Sequence, residues 1–158
     1  MGASGWDYIE PFDTDLATTL ANLRRRVFDE GDYFWFDSIP KPATFAELEG
    51  LFAEIAALTP DEIDYEDPRI IQLADIASSG THSILDMSAV GARGPITPLP
   101  AGEAEALFST AQPTRADFDR VGEGRWVEVE GRWSGACVQL HDDSGTVTEV
   151  AFWGVSGD

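Results

Sequence analysis

A chain of 158 residues with 43% hydrophobic side chains, five Trp and nine Phe carries enough apolar material for one core and far more rings than a disordered acidic segment; at this length roughly two-thirds of the unfolded surface is buried on folding. Its 29 acidic residues against 10 basic ones leave a formal charge of −19, a field that repels phosphate backbones and anionic lipid and attracts basic protein surfaces. The expectation is one α+β domain over residues 1–158 that binds neither nucleic acid directly nor a membrane.

Cys137 is the sole cysteine, so no disulfide closes within the chain, and its neighbours Ala136 and Val138 mark it as a small core residue in a reducing compartment. Met1 to Gly5 shows no basic cluster and no apolar run, and Trp6 stands where a myristoylation signal wants Ser or Thr. No stretch approaches the roughly eighteen apolar residues of a membrane span. The expected location is cytoplasmic. Nine of the ten basic residues are Arg, with Lys41 alone, a usage that points to a high-GC bacterial genome.

Trp6-Asp7-Tyr8-Ile9-Glu10 alternates large apolar with acidic residues and stops at Pro11, which predicts a first strand with Trp6, Tyr8 and Glu10 on one side. Leu16, Leu20, Leu23 and Val27 then recur at i, i+4, i+7 and i+11, the stripe of a helix that begins after Asp13 and ends at Gly31. Arg24, Arg25 and Arg26 fan out around that helix and present no single face to a phosphate; Arg25 with Asp29 and Arg26 with Glu30 have the spacing of intrahelical pairs.

Tyr33-Phe34-Trp35-Phe36 has the propensity of a short strand, and its rings either close the core over the first helix or leave one face as a partner patch. Thr44-x-x-Glu47 matches a capping box and opens a second helix with Phe45, Leu48, Phe52 and Ile55 on its buried side. Between Pro42 and Pro68 there is no Lys or Arg, while Glu47, Glu49, Glu54, Asp61, Glu62, Asp64, Glu66 and Asp67 are all acidic. This is the negative pole of the chain. Its acids lack the alternate spacing, the central Gly and the terminal bidentate Glu of a calcium loop, so it reads as a solvated connection or a docking site for a basic partner.

Asp67-Pro68 pairs an N-cap with Pro at the first helical position and opens a third helix that Gly80 stops. Thr81 to Met87 alternates like a strand, which would separate His82 from Asp86 by on the order of 13 Å and prevent a dyad. This stretch, Ser78 to Met87, is the one place where hydroxyls, a histidine and a carboxylate stand beside core residues. Gly91 to Pro95 and Pro98 to Pro100 are loop material around Ile96-Thr97. A short helix is expected over 102–108 and another from the box-like Thr114-Arg115-Ala116-Asp117 to Gly122.

Trp126 to Glu130, Cys137 to His141 and Val147 to Val155, joined by Gly-bearing and Asp-Asp turns, predict a three-strand antiparallel meander. The last strand is apolar on both faces. His141 beside Asp142-Asp143 lacks any recognised ligand spacing, and neither a metal nor a cofactor is expected.

Gly5-Trp6-Asp7-Tyr8, Gly80-Thr81-His82-Ser83-Ile84-Leu85-Asp86 and Gly154-Val155-Ser156-Gly157-Asp158 together resemble a set of small acidic actinobacterial proteins. That resemblance implies no activity and transfers no functional residue. In general character alone the chain is similar to bacterial immunity proteins and antitoxins.

The fold expected is therefore α+β, with helices mainly in residues 14–78 packed on one face of a mixed or antiparallel sheet dominated by the C-terminal meander. The leading functional expectation is a non-enzymatic binder of the immunity or antitoxin kind. It would dock a basic toxin or nuclease through Glu54, Asp61, Glu62, Asp64 and Glu66, with Tyr33, Trp35 and Tyr65 as desolvated anchors. The rival is an enzyme or ligand-binding pocket around Thr81, His82, Ser83 and Asp86, with His82, Ser83 and Asp86 as its catalytic candidates and Arg24 or Arg115 as an anion contact. Oligomeric state is left open.

Overall fold

The computed structural model describes residues 4–91, 94–129 and 131–157, with the backbone alone at Glu62, Val127 and Glu128. The expected loop at Ala92-Arg93 and the end of the expected strand at Glu130 lie outside the described residues.

The mixed sheet has the order β1-β4-β3-β2: β1 (Gly5–Pro11) and β3 (Ser134–His141) pair antiparallel with β4 (Val147–Val155) on either side, and β2 (Ile96–Pro98) lies parallel to β3. β4 is thus central, and its alternation is two-sided. Val150 and Phe152 enter one apolar cluster with Trp6 and Cys137, while Ala151 and Trp153 enter a second with Ala136, Val138 and Leu140.

Each cluster has its own helical cover. The first is closed by α1 (Leu16–Glu30) through Leu20, Leu23 and Val27, by Leu48 of α2 (Phe45–Ala57), and by a 3-10 turn over Ile84–Asp86. The second is closed by α4 (Ala101–Phe108) and α5 (Arg115–Val121) through Ala104, Phe108 and Phe118. The α+β architecture with a mixed sheet is as read from the sequence, but helices cover both faces, not one. The reason lies in β3 and β4, whose apolar residues on both sides leave neither face able to stand in water.

The caps explain where the helices begin. The Thr44 hydroxyl accepts from the Glu47 N–H (3.2 Å), although the Glu47 carboxylate reaches one residue further back than a capping box requires, to the Ala43 N–H (2.7 Å). Asp67 caps α3 (Pro68–Ser79), and Thr114 with Asp117 forms a complete box at α5. Trp6 lies across a flat patch made by Gly135 and Gly154, where a Cβ on Gly154 would collide with the indole and with the Ser134 carbonyl.

Three expected strands are replaced by other structure. Tyr33 to Phe36 is an irregular turn, Thr81 to Met87 contains the 3-10 turn, and Gly122 to Glu128 is a 3-10 helix, so the C-terminal meander reduces to the β3–β4 hairpin. In the last case Arg125 sets the conformation. Its guanidinium donates to the Gly122 carbonyl and to Asp7 on β1 and lies 4.8 Å from the Phe118 ring, while its own carbonyl accepts from the Trp153 indole N–H (3.0 Å). Among the described residues no helix is long and apolar enough to cross a membrane.

Candidate functional site

The stretch Gly80 to Met87 folds around one carboxylate. Asp86 Oδ1 accepts from the Thr81 N–H (2.7 Å) and the Thr81 hydroxyl (2.9 Å), and Oδ2 accepts from the Ser156 hydroxyl. Burial pushes the Asp86 carboxyl above its ordinary value and the hydrogen bonds oppose that shift. The Thr81 and Ser83 hydroxyls are 2.8 Å apart and both residues are fully buried, with Ser83 capping the 3-10 turn through the Leu85 N–H (3.2 Å).

His82 does not join this network. It has a φ of 53°, its ring stacks 4.7 Å from Phe34, and its Nε2 is buried without a partner among the described residues. Of the rival pocket's residues, Thr81, Ser83 and Asp86 therefore converge and His82 does not. The Ser83 hydroxyl bonds the Thr81 hydroxyl and the Leu85 N–H, and the Asp86 carboxylate lies one hydrogen bond further on, at Thr81.

The negative pole has a different character. Glu54 pairs with Arg69 of α3, and Asp61, Asp64 and Glu66 are exposed, with no ion pair among the described residues. Asp64 accepts from the Glu66 N–H (2.9 Å), which gives the connection a defined turn. Tyr65 stands in the middle of it at 74% exposure, and Ile71 on the first turns of α3 is 40% exposed. The Glu62 side chain lies outside the described residues.

Tyr33 and Trp35 sit elsewhere. Both are half-buried against the first cluster: Tyr33 stacks on Phe28 with the Lys41 ammonium 4.2 Å from its ring, and the Trp35 indole N–H donates to the Ile39 carbonyl (3.0 Å). Among the described residues no hydrogen bond, ion pair or ring contact ties them to the connection at 58–67. Of the three expected anchors, Tyr65 is the one set among the acids.

Two further candidates resolve into structural roles. Asp142 accepts from the Ser144 hydroxyl (2.7 Å) and from the Thr146 N–H (2.9 Å), so it closes the β3–β4 turn, and these bonds hold its carboxyl below the ordinary value. Arg115 pairs with Glu149 (3.0 Å). Among the described residues no group of three or more His, Cys, Asp or Glu is placed to hold a metal.

Sequence reasoning named Arg24 and Asp86 but not the open cleft of about 410 Å³ that they line with other residues of α1, α2, α3, the Ile84–Asp86 turn and Trp133. Its apolar wall includes Phe52, Ile55, Ile76 and Leu85, and its polar side carries Arg24, Glu49 and Asp86. Arg24, expected from the sequence as an anion contact of the rival pocket, is only 7% exposed; its Nη2 donates to Glu49 (2.7 Å) and to the Leu85 carbonyl (3.0 Å). Arg25 lies over the Phe45 ring at 4.8 Å, and Arg26 pairs with Glu30 as expected and also with Glu10 (2.7 Å). The available signals were that Arg24 flanks the Leu20-Leu23-Val27 stripe and that it stood with Asp86 in the rival pocket.

Comparison of the chain with protein-family models, with curated proteins and with solved structures finds no match.

Proposed function

We propose that this chain is a cytoplasmic acidic binding protein of the immunity or antitoxin kind, which docks a basic protein, a toxin or nuclease, through the connection between α2 and α3. The observation that carries the reading is Tyr65. A large ring at 74% exposure, flanked in the chain by Asp64 and Glu66, which form no ion pair among the described residues, is a poor contributor to the free fold. It has the make-up of an interface centre, with an aromatic anchor to be desolvated and charges around it to steer the partner.

The mechanism is steric and electrostatic. The −19 net charge accelerates encounter with a cationic surface, and Asp61, Asp64 and Glu66 orient it over Tyr65 and Ile71. The exposed carboxylates repel one another in the free protein, so a basic partner relieves a cost the chain carries alone.

The test compares wild-type protein, Tyr65→Ala and the triple variant Asp61→Asn, Asp64→Asn, Glu66→Gln as immobilised baits in lysate of the native cell, with quantitative mass spectrometry of what each retains. A basic protein held by wild type and lost from both variants is expected. Retention of the same proteins by all three baits would remove this site from the function.

A further inference from the structure

The cleft at Arg24 has chemistry that the acidic docking surface does not use. Two of its features are unexplained by the fold. The guanidinium donates only from Nη2 among the described residues, and its Nε is buried with no acceptor, although a donor shut away from water without a partner is costly. Beside it, Phe52 and Ile55 are left only half-buried on the wall of a cleft whose volume is that of a small-molecule site.

Trp133 completes the wall and is positioned with care. It is a non-glycine residue with a φ of 57°, 37% exposed, and its ring lies against Gly80 and Gly157 so closely that a Cβ on Gly80 would stand 2.7 Å from both the indole and Asp86 Oδ2. Gly80, with a φ of 69°, is thus required twice, for its backbone and for the space above it. The indole borders a cleft that also contains an apolar wall and charges of both signs.

Those charges select the ligand. Glu49, whose side chain is 44% exposed, and Arg24 lie side by side, with Nη2 2.7 Å from Oε1, so a positive and a negative group line the cleft together, as the two charges of an α-amino acid lie close together. A lone anion entering here is repelled by Glu49, Asp86 and the field of the whole protein; a lone cation is drawn in by them but leaves the spare Arg24 donors unused. A zwitterion meets a complement for each end. We infer that the cleft between α1, α2 and α3 binds a free α-amino acid with an apolar side chain. Its carboxylate takes the Arg24 Nη1 N–H groups, its ammonium lies by Glu49 and Asp86, and its side chain lies between Phe52, Ile55 and Trp133.

This site does not depend on the docking surface and is tested without a partner. In ¹H–¹⁵N spectra of the full chain, the Trp133 indole N–H is assigned with Trp133→Phe and followed during titration with L-phenylalanine, 2-phenylethylamine, 3-phenylpropionate and glycine. L-Phenylalanine is expected to shift the Trp133 signal saturably below about 10 mM. The amine and the acid, each lacking one charge, and glycine, lacking the ring, are expected to bind at least about tenfold more weakly. Glu49→Gln, a half-exposed substitution whose folding the same spectrum reports, is expected to weaken L-phenylalanine about tenfold without weakening 3-phenylpropionate. No shift with L-phenylalanine, equal binding of the amine or the acid, or an unchanged affinity in Glu49→Gln would each overturn the assignment.

Discussion

Asp86 illustrates how a single side chain organises its surroundings. It collects the Thr81 N–H, the Thr81 hydroxyl and the Ser156 hydroxyl, and so joins the end of α3 to the tail that follows β4. Because burial raises its pKa above the ordinary 3.8, the folded chain keeps this proton at pH values where the unfolded chain has lost it. Asp86 therefore adds stability below the ordinary value, and that contribution is lost as pH rises through the raised one. Asp15, Asp117 and Asp142 have lowered values, through the Thr18 and Thr114 amides and the Ser144 hydroxyl respectively, and act in the opposite sense, losing their contribution on acidification. Comparison with Asp86→Asn isolates the first effect. Measured by denaturant unfolding, wild type should gain on the variant in going from about pH 7.5 to about pH 4.5. A constant difference would mean that Asp86 titrates normally. Cys137 is the simpler case: burial pushes its thiol up to about 12, in keeping with a side chain that only packs.

At the scale of elements, local chemistry was legible and convergence was not. The caps at Thr44, Asp67 and Thr114 and the Leu stripe of α1 were readable because each depends on residues within one or two turns. The stretch from Thr81 to Met87 has a strand's alternation, but its buried positions are satisfied by a turn in which Thr81 and Ser83 bond each other and Asp86. Period two does not distinguish these outcomes. β2 has three residues and exists through its pairing with β3, which no local pattern announces. The cleft brings Arg24, Glu49, Asp86 and Trp133 together from four parts of the chain. The flank position of Arg24 and its place with Asp86 in the rival pocket hinted at it, while Glu49 and Trp133 carried no such signal. The tail and Trp133 also set a limit on sequence: Gly157 lies where a Cβ would enter the Trp133 indole and approach the Ser78 carbonyl at 2.8 Å. Gly157→Ala should cost about 1–3 kcal/mol in denaturant unfolding and displace the Trp133 indole signal. An unchanged midpoint and an unchanged signal would show that the indole is not held there.

For the whole molecule, charge and fold divide the labour. Two apolar clusters on either side of the sheet hold the chain together and leave most carboxylates outside. Where arginines are placed, they are largely spent on internal pairs: Arg24 with Glu49, Arg26 with Glu10, Arg69 with Glu54 and Arg125 with Asp7. At the α2–α3 connection, beside the exposed ring of Tyr65, Asp61, Asp64 and Glu66 form no ion pair among the described residues. If this is the docking surface proposed above, it associates at a rate set by ionic strength and dissociates at a rate set by its desolvated centre. The direct measurement is the affinity and association rate of the captured basic partner for wild type and Tyr65→Ala between about 50 and 500 mM NaCl. The account predicts an association rate that falls steeply with salt for both proteins, and a dissociation rate at least about tenfold faster for Tyr65→Ala at every salt concentration. Salt-independent association, or equal dissociation of the two proteins, would contradict it.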